Sequence, residues 1–214
     1  MIKVFSYVMT EDTGFAPNPY HGVLTLACCK PQIRLCANIG DWVMGTAGKV
    51  LTESAHKRLG WSVEEIGRLV YLMKVTSKLT RSEYWGEFKK KKYNKGNWPG
   101  EVGDNIYELV AGEYVGPTEG ARHKHKNKAV DLGPKERGYP YSEVLGSTEF
   151  YYFGIEARVL PTELGSIFVH KNRQHKVIGG QYLINGLISK MESLYGVPSN
   201  KPLGEPINKF KRFL

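Results

Sequence analysis

Three cysteines in 214 residues, two of them adjacent (Cys28 and Cys29), make a poor disulfide framework, and the odd count fits a reducing compartment. No apolar run is long enough to span a bilayer. No charged-then-apolar leader opens the chain either; Met1 to Met9 alternates like a strand. These shortages predict a cytoplasmic protein with no membrane partner. Also missing are GxxxxGK[ST], a GxGxxG after a strand, HExxH and GxSxG, so P-loop hydrolysis, dinucleotide redox, zincin and α/β-hydrolase chemistry lose their usual support. The side chains of Cys28 and Cys29 would diverge in an extended segment and share a tetrahedral metal badly, and neither metal nor cofactor is expected. Internal repeats are absent. Acidic residues are short, with 21 Asp and Glu against 30 Lys and Arg, for a net charge of +9. The excess gathers at Lys89–Lys92, Arg122–Lys128 and Lys209–Arg212, which points to a polyanionic partner, DNA or nucleotides.

What is present is concentrated between Gly14 and Gly45. Phe15-Ala16-Pro17-Asn18-Pro19 is a loop stiffened by two prolines. An apolar run from Val23 to Ala27 predicts a buried strand, and Pro31 suits the first turn of a short helix carrying Ile33, Leu35, Cys36 and Ile39 on its apolar side. Gly40-Asp41 then turns into a strand at Trp42. Elsewhere, strands are predicted at Ile2–Met9, with Phe5 and Tyr7 opposite Val4, at Leu69–Val75, at Asp104–Val115 with a turn or bulge at Ala111-Gly112, and at Thr148–Phe153. Thr80-Arg81-Ser82-Glu83 reads as a capping box opening a helix, and a closing helix runs from about Gly180 to Tyr195. Thr46–Gly60 reads as a polar excursion, Tyr139–Leu145 as leading into a short helix, and Leu160–Leu164 as a turn.

With 41% hydrophobic residues the chain can bury one core. The expected organisation is one domain over 1–196, with a basic loop at about 116–138 and a basic tail over 197–214 that either docks or trails. The element order predicts an α+β fold with a curved, mostly antiparallel sheet. The Gly40-Asp41-Trp42 strand followed by Val70–Val75 also resembles the small barrels of the PUA-like group, several of which hold a modified or flipped base.

Several residues could carry chemistry. Asp41 either caps a turn or faces a pocket beside Trp42 as an acceptor or base. Asp104 and Asn105 open a strand directly after a glycine loop, where they either initiate the strand or reach a ligand. Phe15 and Trp98 offer stacking surfaces for a base. Lys30 and Arg34, at the start of a short helix, suit a phosphate. Lys89, Lys90, Arg122, Lys124, Lys126 and Lys128 suit a nucleic-acid backbone, with His123 and His125 in the same basic loop.

Phe15–Pro19, Leu24–Ala27, Cys29-Lys30-Pro31, Ile33-Arg34, Gly40–Val43, Tyr84-Trp85, Gly103–Tyr107 and Phe150–Gly154 together resemble the nucleotide-modification-associated domain family, second type. The likeness runs from Met1 to about Gly154. Members are described as DNA base hypermodification proteins of bacteria and phages, and they tend to carry histidines after the GDNIY segment, a place that His123 and His125 occupy here in a lysine-rich loop. The resemblance implies a part in DNA base modification, and with the residues above the expectation is a protein that takes a nucleotide or extruded base into a pocket lined by Phe15, Pro17, Asn18, Lys30, Arg34, Trp42 and Tyr107. Asp104, Asn105, Asp41 and His123 are the candidates for catalysis. Two other classes stay open. One is an enzyme of group or glycosyl transfer, or of glycosidic-bond cleavage, with Asp104 or Asp41 as acid or base; the other is a protein-interaction domain whose charge is incidental.

Overall fold

The computed structural model describes residues 1–92, 103–118, 128–132, 143–170 and 174–208. The protein is α+β. A five-stranded sheet is ordered β10-β1-β3-β4-β9, from β1 (Val4–Met9), β3 (Trp42–Ala47), β4 (Leu69–Lys74), β9 (Phe150–Tyr152) and β10 (His175–Ile178). β1 and β3 run parallel, and every other pair is antiparallel. A second sheet joins β2 (Leu24–Leu26), β8 (Val144–Ser147) and β5 (Ser77–Leu79), and a hairpin pairs β6 (Glu108–Val110) with β7 (Glu113–Val115). Among the described residues no sheet closes into a barrel, so of the two architectures expected the open, mostly antiparallel one is found.

The parallel pair decides where the site lies. Parallel neighbours cannot be joined by a tight turn and need a crossover of a dozen or more residues. Here residues 10–41 supply it, and they contain the proline loop, β2, the Cys28–Lys30 turn and α1 (Pro31–Cys36). The stretch richest in unusual residues is therefore the connection leaving the carboxyl end of β1.

Strand alternation divides the core in two. Phe5, Tyr7, Val43, Val70, Tyr71 and Met73 face one side with Leu24, Leu26 and Ile33. Val4, Trp42, Met44, Leu72 and Tyr151 face the other, where α6 (Gln181–Tyr195) covers them with Ile184, Leu187 and Met191, one helical stripe. Tyr182, Leu183 and Leu194 fall outside that stripe and are exposed.

Pro31 opens α1 as expected, and the Thr80 box closes on both sides at α3 (Arg81–Glu87), worth about 1 kcal/mol. Ala111-Gly112 is a turn, both residues at positive φ. Three segments differ from expectation. Thr46–Gly60 contains α2 (Lys49–Leu59), whose buried stripe is only Leu51, Thr52 and Ala55, too sparse to register as a period. Leu160–Leu164 enters α5 (Thr162–Phe168), and Tyr139–Leu145 gives strand β8 where it is described, because Val144 and Leu145 pair with β5. Most of the basic loop lies outside the described residues; within it is α4 (Lys128–Leu132).

The tail docks as far as it is described. Leu203 N–H donates to the Tyr152 carbonyl at 2.8 Å and Ile155 N–H to that of Glu205 at 2.8 Å. Asp12 holds the end of it: its carboxylate accepts from Ile207 N–H at 3.0 Å and from the Tyr152 hydroxyl at 2.5 Å, while its own amide donates to Asn208 Oδ1. No helix among the described residues is long and apolar enough to cross a membrane.

Candidate functional site

β2 builds the floor of the site by alternation. Leu24 and Leu26 point into the core beside α1, so Thr25 between them points the other way and donates its hydroxyl to Asp104 Oδ2 at 2.7 Å. The wall is α3. Arg81 and Tyr84, three residues apart, share its buried face. Tyr84 donates its hydroxyl to Asp104 Oδ1 at 2.6 Å, and Arg81 Nη2 donates to the carbonyls of Ala27 and Asp131. Arg81 also stacks over Tyr107, 5.3 Å from the ring centre.

Asp104 is wholly buried, which raises its pKa despite the opposing pull of Lys91 and the two hydroxyl bonds. Lys91, third in the exposed-looking run of lysines, is itself buried: its ammonium donates to Asn18 Oδ1 at 2.7 Å and to the Asn18 carbonyl at 3.1 Å. Asn18 in turn pairs both main-chain groups with Thr25. The proline loop, the floor strand and the lysine run are thus tied to one carboxylate. Asn105 closes the end of α3, its side-chain amide donating to the Tyr84 carbonyl at 2.8 Å, and so acts in positioning. Phe15 packs with Cys28, Tyr84, Ile106 and Tyr107 in this same cluster, and Pro17 is buried beside it in the loop.

A second carboxylate lies across the cluster. Asp131 accepts from Cys29 N–H at 3.0 Å and from the Tyr107 hydroxyl at 2.7 Å. Its carbonyl receives Arg34 as well as Arg81. Arg34 differs from the surface phosphate ligand that its helix position suggested: it is fully buried, and its guanidinium also donates to the carbonyls of Cys29 (2.8 Å) and Glu143 (3.2 Å). Burial, then the like charge of Arg81, brings its pKa down to about 9. Cys28 is buried with its thiol toward the Asp104 carbonyl, and burial foremost, with Asp131 next, pushes that thiol well up, which makes it an inert packing group.

Cys29 and Lys30 both take left-handed backbone, at φ 59° and 46°, although neither is glycine. Such conformations cost of order 1 kcal/mol or more each and persist where surrounding bonds over-determine them. Here the turn delivers the Cys29 amide to Asp131 and sets the Lys30 ammonium 4.4 Å from the centre of the Tyr7 ring.

The structure brings together Phe15, Pro17, Asn18, Lys30, Arg34, Asp104, Asn105 and Tyr107. It keeps Trp42 apart, on the opposite face of the main sheet with α6. Asp41 caps the turn before β3, one oxygen accepting Lys3 N–H at 2.8 Å and the other Asn38 N–H at 2.9 Å. Lys89 and Lys90 are exposed beside buried Lys91, and Lys128 is half-buried at the start of α4. His123, Arg122, Lys124, Lys126 and Trp98 lie outside the described residues. Sequence reasoning missed Thr25, Tyr84, Arg81, Lys91 and Asp131; an acid between Val130 and Leu132 was the available signal. Among the described residues no group of three His, Cys, Asp or Glu side chains is arranged to hold a metal.

No curated protein and no solved structure matches the chain. The family described as nucleotide modification associated domain 2 matches it across residues 1–212, well beyond the part whose residues suggested the kinship. The chain belongs to the nucleotide modification associated domain 2 family.

Proposed function

We propose that this protein serves DNA base modification by taking a nucleotide, or a base extruded from DNA, against the neighbourhood of Phe15, Lys30 and Asp104–Asn105. Lys89 and Lys90 would lie along the backbone on the adjoining surface. The observation that carries this reading is the link from Asn18 through Lys91 to the surroundings of Asp104, because it ties the stiff aromatic-bearing loop to the buried acid. Family membership supplies the nucleotide-modification context. Phe15 would offer a stacking face and the Asp104–Asn105 segment the polar edge, a combination that suits a base better than a peptide.

A second reading makes the protein an enzyme on the base or nucleotide, with Asp104 as acid or base. It is favoured by the raised pKa of Asp104, which burial causes, and by the two hydroxyls that donate to its carboxylate. Mass spectrometry of nucleosides from cells with and without the protein tests both. A modified nucleoside that depends on the protein supports a role in modification; its loss with Asp104→Asn, at a nucleotide affinity within about twofold of wild type, supports Asp104 chemistry. Asparagine suits the test because the Thr25 and Tyr84 hydroxyls can rotate to accept from its amide. Equal modification by the variant would remove Asp104 from the chemistry, and an unchanged nucleoside pool without the protein would leave binding alone.

A further inference from the structure

Two basic side chains flank one aromatic ring on the carboxyl half of β1. Lys30 reaches over Tyr7 from the left-handed turn, and the antiparallel register of β10 sets His175 opposite Tyr7. The His175 ring lies 6.1 Å from that of Phe5. Burial first, then the charges of His170 and Lys30, hold the His175 imidazole below its ordinary pKa. Among the described residues, Lys30 and His175 have no hydrogen bond or ion pair, and the buried Nε2 of His170 has no hydrogen-bond partner. Asp12, the carboxylate whose charge bears on Tyr7, is closed off by Tyr152 and the Ile207 amide.

Among the described residues no acid bonds the Lys30 ammonium or the His175 ring, and an anion beside Tyr7 could accept from both. A phosphate group has the charge and the several acceptor oxygens that this requires. We propose that Lys30 and His175 bind one phosphate group of the nucleotide or DNA strand that the protein handles. The inference rests on the nucleotide reading and refines it: the phosphate contact stays with Lys30 and moves from Arg34, which is spent on carbonyls, to His175 on the edge strand. Lys30 directly follows Cys29, whose amide is fixed to Asp131, so this contact adjoins the surroundings of Asp104.

Calorimetric titration with the four deoxynucleosides, their 5′-monophosphates and a short single-stranded oligodeoxynucleotide tests it. Lys30→Met and His175→Gln are each expected to weaken phosphate-bearing ligands about tenfold and to leave the nucleosides within about twofold. A loss confined to the monophosphates assigns the contact to a free nucleotide, and one confined to the oligonucleotide assigns it to backbone phosphate. If both variants bind every ligand as wild type does, the phosphate contact is wrong and the nucleotide reading survives. If wild type binds none of the ligands, both fall. Circular dichroism of each variant separates lost contact from lost fold.

Discussion

Arg34→Met is expected to cost about 3–5 kcal/mol of folding stability, read as a lowered midpoint in urea. The guanidinium is wholly buried and its described bonds run to the carbonyls of Cys29, Asp131 and Glu143, which come from the crossover, α4 and the lead-in to β8. Methionine matches much of the volume and none of the donors. The Cys29 and Glu143 carbonyls then lose this donor, at roughly 1–3 kcal/mol apiece, while that of Asp131 keeps Arg81. Lysine should recover little, because a single ammonium cannot reproduce a planar fork that reaches three separate chain segments. Exposed Lys57→Met is the matching control, expected within about 0.5 kcal/mol of wild type. An Arg34→Met protein as stable as that control would show that the guanidinium does not hold the cluster together.

Stability should also fall as the solution is made less acidic across pH 4 to 6. Burial, opposed by bonds from Tyr152 and Ile207, puts the Asp12 carboxyl at about 6 in the folded protein against 3.8 as the ordinary value. Between those values the folded chain keeps a proton that the unfolded chain releases, so protons favour the folded state. The contribution is fully present below the unfolded value and is lost as pH rises through the folded one. At 1.36 kcal/mol per pH unit, its size is about 3 kcal/mol. Asp104, also raised, pushes the same way. Asp12→Asn should therefore flatten, without abolishing, the pH dependence of the urea midpoint. A wild-type midpoint that climbs from pH 4 to 7 would contradict this assignment.

Local signals were legible where one segment settles its own structure. Pro31 cannot donate, so it opens a helix; Thr80 and Glu83 satisfy each other's amides; Leu187 and Met191, four apart, mark a helix that Gly196 ends. The site was legible only as a neighbourhood. Phe15, Asn18, Lys30 and Asp104 carry visible chemistry, but Arg34, Lys91 and Asp131 are charges that composition assigns to the surface and the tertiary structure buries among carbonyls, amides and hydroxyls. Asp41 and Trp42 are adjacent in sequence, and the sequence left Asp41 either capping a turn or facing a pocket beside Trp42. The turn takes the first for its amides, and strand alternation sends the second through the sheet. Helix α2 escaped because three small or medium buried residues make a weak period, and its packing against β3 came from the sheet rather than from its own sequence.

Amide hydrogen exchange with and without a deoxynucleoside 5′-monophosphate bears most directly on the central claim that a nucleotide docks beside Asp104. Slowed exchange is expected in Phe15–Lys30 and Gly103–Tyr107, with the α6 face unchanged. Protection confined to α5 and α6, or to no segment at saturating ligand, would contradict it.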